Sequence, residues 1–387
     1  MIELSQRLEK LPPYLFAEID RIKRDSFEKG IDLIDLSIGD PDLPTPSHIV
    51  EKLCEAVRDP RNHHYALDQG LFELREAISQ WCKERFNVDL DPSTEIYPLI
   101  GSKEGIAHLP LAFLNPKDIA LVPDPCYPPY RSGTILAEGI PFPLPLFKEN
   151  NFLPDLKKIP KLLLKKAKLL FLNYPNNPTA TIWPEEFCKE VIKFAQKNEI
   201  LVCHDAAYSE ISFDNYRAPS FLQFPGAKEV GIEFHSFSKT YNMTGWRIGW
   251  VCGNSQAVKA LGKVKTNIDS GIFQAIQIAG ISALKEKTSE IEKRNEIYKE
   301  RRDLLIEGLE KIGWKIEKPL ATFYVWAPLP KPYRSSIKFA KMLLEEARVV
   351  VTPGIRFGQF GEGFIRFSLT NSIERIKEAI ERIKKIL

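Results

Sequence analysis

The stretch Ser236-Phe237-Ser238-Lys239-Thr240-Tyr241-Asn242-Met243-Thr244-Gly245-Trp246-Arg247-Ile248-Gly249-Trp250 decides how this chain reads. A strand-like apolar run, 230–234, leads into it, and another, 247–252, follows. Lys239 therefore stands just past the end of a buried strand, with Ser236 before it and Arg247 after it. A lysine amine in that place can form a Schiff base with an aldehyde. A serine hydroxyl and a guanidinium suit a phosphate, the guanidinium through its planar fork. The expected guest is an aldehyde that carries a phosphate, which is the chemistry of pyridoxal phosphate (PLP).

The rest of the composition narrows the setting. A chain of 387 residues is longer than one domain usually is, so two domains are expected. The 54 basic and 51 acidic residues nearly cancel, leaving +3. That balance gives no electrostatic reason to expect nucleic acid or a membrane surface as partner. The six cysteines form no CxxC pair, so neither a metal site nor a redox motif is expected. They read as small buried hydrophobes of a reducing compartment. MIELSQRLEK at the start has no apolar signal core, and no run is long enough to span a bilayer. A cytoplasmic setting is expected.

Apolar runs alternate with helical periodicity along most of the chain, the pattern of an α/β protein with a mostly parallel sheet. Strands are expected at 95–100, 119–122, 168–172, 200–204, 230–235 and 247–251. Helices are expected at 15–29, 103–113 and 184–198, and one long charged helix at 282–312. A smaller α+β unit follows, with strands at 314–317, 321–326, 348–351 and 363–369 and a final helix at 373–387. The expected division is an N-terminal arm (1–38) packed with the small unit, a large domain (39–281) and a small C-terminal domain (282–387).

In open α/β sheets ligands bind beyond the carboxyl ends of the strands. The runs in the large domain end in polar residues: Gly101-Ser102-Lys103, Asp124-Pro125-Cys126-Tyr127, Asn173 to Thr179, Asp205-Ala206-Ala207-Tyr208, and Ser236 with Lys239. Gly101-Ser102 opens a helix, whose N-terminal amides favour a phosphate.

The lysine stretch resembles that of the class I and II PLP-dependent aminotransferases, and the resemblance runs from Leu11 to the end. It implies the fold type I architecture: a large domain with a mostly parallel seven-stranded sheet, and a smaller α+β domain. It implies that Lys239 carries the cofactor at rest and then moves the substrate α-proton. Asp205 faces the pyridine nitrogen and keeps it protonated. Asn177 and Tyr208 hydrogen-bond the ring oxygen. Tyr127 stacks on the ring. Ser102, Lys103, Ser236 and Arg247 hold the phosphate region. Arg366, in an apolar strand, binds the α-carboxylate, and Gly39 lies against that carboxylate. Tyr65 and Asn267 reach the neighbouring subunit's cofactor, which implies a homodimer with shared sites.

Three segments, 11–21, 101–118 and 68–70, resemble the LL-diaminopimelate aminotransferases. These move an amino group between LL-2,6-diaminopimelate and 2-oxoglutarate; the reverse direction leads from tetrahydrodipicolinate toward lysine and cell wall. The far end of that donor carries an ammonium and a carboxylate. Asp68 and Lys103 can supply the matching pair, with Tyr14 near. Two departures stand out: the family usually has glutamate at Asp68, and a small residue at Arg356. Arg356 can bind a distal carboxylate or lie on the surface, and the surface is the expectation. An aspartate- or alanine-type aminotransferase and a PLP-dependent β-lyase stay open.

Overall fold

The structure, a computed structural model, describes residues 3–11, 17–66 and 69–387, without the side chains of residues 17–20 and 27. Tyr14 and Asp68 lie outside the described residues. A short strand, β1 (Ile34–Asp35), comes first. The large sheet then draws on β2 (Ile96–Leu99), β3 (Ile119–Asp124), β4 (Ile140–Pro145), β5 (Ala167–Asn173), β6 (Leu201–Asp205), β7 (Gly231–Ser236) and β8 (Gly249–Gly253). The C-terminal unit contributes β9 (Tyr324–Pro328), β10 (Val349–Val350), β11 (Thr352–Pro353) and β12 (Phe364–Ser368).

The large sheet has seven strands, as expected of fold type I, and their order is β2-β8-β7-β6-β5-β3-β4. Only β8 runs antiparallel to its neighbours, and β2 pairs antiparallel with β8. Two reversals bring the carboxyl end of β2 to the same end as those of β3, β5, β6 and β7. The central strands are apolar on both faces because both faces are covered. Ile119 and Leu121 enter one apolar cluster and Ala120 and Val122 another; Leu170 and Leu172 alternate likewise with Leu169 and Phe171.

The edge strand β4 was not expected, because three prolines punctuate it. The register explains them. Ile140 and Leu146 donate their N–H groups to Asp118 and Asp124 of the β3 segment, at 2.8 Å each. Pro141, Pro143 and Pro145 fall on the alternate positions, whose N–H groups would point away from β3. An outermost strand tolerates proline only there, and an edge without donors resists pairing with another chain.

Four other expectations need correction. β8 begins at Gly249, not at 247: Arg247 ends the turn Thr244–Trp246 in a left-handed conformation (φ 56°) and leaves the ladder. The single helix expected over 282–312 is two, Gln274–Leu284 and Thr288–Glu310. Between them Glu286 pairs with Arg294, whose Nη2 also donates to the Thr240 carbonyl at 3.2 Å. Tertiary contacts thus break a segment whose composition alone suits a helix. Residues 314–317 alternate buried and exposed but form no ladder. There the Trp314 indole N–H donates to Pro328 O, at the end of β9, at 2.7 Å. The run expected at 348–351 divides into β10 and the separate β11.

The C-terminal unit encloses its own core. β11-β12-β9 form an antiparallel sheet, and β1 pairs in parallel with β10, tying residues 34–36 to this unit. The last helix, Ile373–Lys384, buries Ile376, Ala379, Ile380 and Ile383, one stripe at helical spacing. Ser372 caps it, accepting from Arg375 N. Among the described residues no helix is long and apolar enough to cross a membrane.

Candidate active site

The carboxyl ends of β2, β3, β5, β6 and β7 open into one cavity of about 610 Å³, closed on its other side by β9, β10, β11 and β12. Its lining brings together Gly39, Ser102, Lys103, Tyr127, Asn177, Asp205, Tyr208, Ser236, Lys239, Arg247 and Arg366. Arg356 also lines it while remaining exposed. Two expected residues do not line it: Tyr65 is 88% exposed, and Asn267, also exposed, caps its helix through Lys263 O at 2.8 Å.

Lys239 sits in the short turn Phe237–Thr240 that follows β7. Ser236 Oγ accepts from Ser238 N at 3.2 Å and fixes the start of that turn. The lysine Nζ donates to Gly39 O at 2.6 Å. Burial lowers the Lys239 amine to about 8; the Asp40 carboxylate opposes this, and the Arg366 and Arg247 guanidiniums add to it. A neutral amine is therefore accessible near neutral pH, which a nucleophile or a general base needs.

Asp205 closes β6 and is buried. Its carboxylate accepts from Tyr130 Oη at 2.7 Å and from Ala207 N at 3.2 Å. Burial raises its pKa, and these two donors pull it back. Asn173, closing β5 beside it, donates to Asp205 O at 2.7 Å and accepts from Asn177 N at 2.7 Å. The neighbouring strand end thus holds both loops.

Arg366 is the most telling group. It is 7% exposed, and its Nη groups donate to Asn177 Oδ1 and Ser37 O, at 2.7 Å each. Its Nε is buried without a partner. Its guanidinium lies over the Tyr324 ring at 4.0 Å and the Phe357 ring at 4.8 Å. Among the described residues no carboxylate pairs with it. A buried cation held by neutral oxygens and aromatic faces is stable with an anionic guest.

A cradle for a second anion lies at the other end. Gly101 precedes the helix Ser102–Phe113 at φ 73°, and a Cβ there would overlap the Arg247 guanidinium. At Gly249 a Cβ would come within 2.8 Å of Ser102 N, so β8 can lie against the helix start only as glycine. Helix amides, Ser102, Ser236, Ser238 and Arg247 together form a donor set for a phosphate. A lysine amine, a buried carboxylate, a phosphate cradle and a carboxylate-seeking arginine fit PLP with an amino acid beside it.

Sequence reasoning missed Tyr324 and Tyr130. The Tyr324 hydroxyl lies 2.9 Å from that of Tyr208, and burial raises Tyr208 well above the ordinary phenol value. Tyr324 sits in a strand between apolar neighbours and Tyr130 in a short helix before Arg131 and Ser132, and nothing local marks either.

The fold and site define a PLP enzyme of fold type I. The family model for aminotransferase class I and II matches residues 31–383, and the chain belongs to that family. A relative from Moorella thermoacetica named LL-diaminopimelate aminotransferase is 53% identical over 99% of this chain and 98% of its own. One of the same name from Aquifex aeolicus is 54% identical over 100% of both. Among solved structures, substrate-bound BacF from Bacillus subtilis superposes with a TM-score of 0.95 at 40% identity, covering 100% of this chain and 98% of that one. The chain is a PLP-dependent aminotransferase.

Proposed function

We propose that the enzyme exchanges an amino group between LL-2,6-diaminopimelate and 2-oxoglutarate, giving tetrahydrodipicolinate and glutamate. The observation that carries the amino-acid half is Arg366, buried in the same cavity as Lys239 with no carboxylate partner among the described residues. The full-length relatives named for diaminopimelate support the donor. When bound, PLP supplies an electron sink for the substrate α-carbon.

The chain's own residues do the rest. Ser102, Ser236, Ser238 and Arg247 would hold the phosphate, and Lys103 would extend that cationic wall. Asp205 would keep a proton at the pyridine nitrogen. Tyr127 would pack on the ring. Tyr208 and Asn177 address the ring oxygen; with its Oδ1 taken by Arg366, Asn177 has its amide N–H to offer. Arg366 would clamp the α-carboxylate beside Gly39, and Lys239 Nζ, once freed, would carry the α-proton between the substrate α-carbon and the cofactor. Lys103, Asp68 and Tyr14 are assigned to the far end of the donor.

The exposure of Tyr65 and Asn267 supports a homodimer in which each reaches the partner's cofactor. Residues 1–38 are taken as the arm, 39–281 as the cofactor-holding domain and 282–387 as the smaller domain that brings Arg366. Six free thiols, five of them buried, support a reducing, cytoplasmic setting.

The test is a single-turnover absorbance scan with LL-diaminopimelate, aspartate and alanine in separate cuvettes. The proposal predicts loss of the lysine-linked PLP band with diaminopimelate alone. Conversion by aspartate or alanine instead would keep the aminotransferase and discard the donor.

A further inference from the structure

We propose that Arg356 reads the distal carboxylate of the substrates and so selects dicarboxylic amino acids and oxoacids. The proposal rests on the aminotransferase reading of the cavity, and it deepens that reading. Diaminopimelate, glutamate and 2-oxoglutarate all carry a second carboxylate.

Arg356 stands on the turn Gly354–Phe357, which leaves β11 and lines the cavity with β10 and β11. Thr352 of β11 is the register partner of Arg366 in β12, so this turn begins two residues past the position opposite the buried arginine. The turn is held from both sides. Phe357 O accepts from Cys126 N at 2.8 Å, and the Gln359 and Phe360 amides donate to the Asp124 carboxylate at 3.3 and 3.0 Å. Gly354 packs against Gly361 O, and Gly358 against Asp124, with no room for a Cβ at either. The backbone carrying Arg356 is thus fixed between the end of β3, where Tyr127 sits, and the C-terminal unit.

Two guanidiniums then face one cavity, Arg366 buried in it and Arg356 exposed along its lining. Burial is the main influence lowering Arg366, and Arg356 is the like charge that adds to it. Like charges in one site repel, and a guest with a carboxylate for each relieves both. A monocarboxylic amino acid satisfies Arg366 alone. Arginine is suited to this by its planar fork.

The experiment compares the PLP-loaded enzyme with Arg356→Ala and Arg356→Lys. Calorimetry reads the binding of glutarate, a dicarboxylate, and butyrate, its monocarboxylate counterpart. Arg356→Ala should weaken glutarate by about 10- to 100-fold, the range of a charge-assisted hydrogen bond. Butyrate, whose one carboxylate is held by Arg366, should lose far less, and Arg356→Lys should recover part of the glutarate loss. The KM for glutamate should rise in Arg356→Ala. Unchanged glutarate binding, or equal loss on both acids, would overturn the proposal. Arg356→Gln replaces the alanine variant if that folds poorly. Because glutarate and butyrate carry no amino group, failure of diaminopimelate as donor leaves this comparison intact.

Discussion

Lys239 shows how a residue's surroundings set its chemistry. Its amine is cationic below about 8 and neutral above, because burial and two nearby guanidiniums outweigh the Asp40 carboxylate. Only the neutral amine attacks an aldehyde, so PLP loading of the cofactor-free protein should accelerate as pH rises and level off above about 8. Stopped-flow absorbance checks this; a midpoint near the ordinary lysine value of about 10.4 would contradict it. Arg366→Ala should move the midpoint upward by removing a like charge. Lys239, Asp205, Asn177 and Arg366 were legible because each is polar at or beside an apolar run. Tyr130 and Tyr324 were not, since their partners Asp205 and Tyr208 lie 75 and 116 positions away and a lone aromatic in a helix or strand reads as packing.

At the scale of elements, the loop at Gly39 and strand β9 are fitted to each other. A Cβ at residue 39 would overlap the Tyr324 hydroxyl and approach its ring, and Gly39 O holds Lys239 Nζ. Gly39→Ala should therefore lower kcat/KM by at least about tenfold while costing about 1–3 kcal/mol of stability as overpacking. Steady-state kinetics beside thermal melting checks both; near-normal kcat/KM would contradict the fit. The same loop is tied down at Asp42, which Arg301 grips with two hydrogen bonds of 2.7 and 2.8 Å. Most strands were legible from apolar runs. β4 was hidden because its prolines make sense only once the strand is known to be outermost. The break at 285–287 was hidden because the residue that Glu286 pairs with, Arg294, is itself held by the Thr240 carbonyl far back in the chain. Residues 314–317 carry a true alternation with no neighbouring strand to pair with, which a sequence pattern does not reveal.

Across the whole molecule, the cavity exists because two cores meet. The large sheet supplies Asp205 and Lys239, and the C-terminal unit supplies Arg366, joined to the first through Asn177. The seven-stranded, mostly parallel sheet followed from the family resemblance, whereas the order of its strands was in no single run. Tyr65 and Asn267 lie outside the cavity of one chain, and the proposed dimer gives them a place. Mixing Lys239→Ala with Tyr65→Ala after subunit exchange should restore activity in heterodimers, up to about a quarter of the wild-type sites. No recovery above the sum of the two variants would contradict shared sites.

The most direct test of the central claim is to reduce the PLP-loaded protein with borohydride and map the labelled peptide. The account predicts a pyridoxyl group on Lys239 and none in Lys239→Ala. A label on another lysine, or undiminished labelling of the variant, would contradict it.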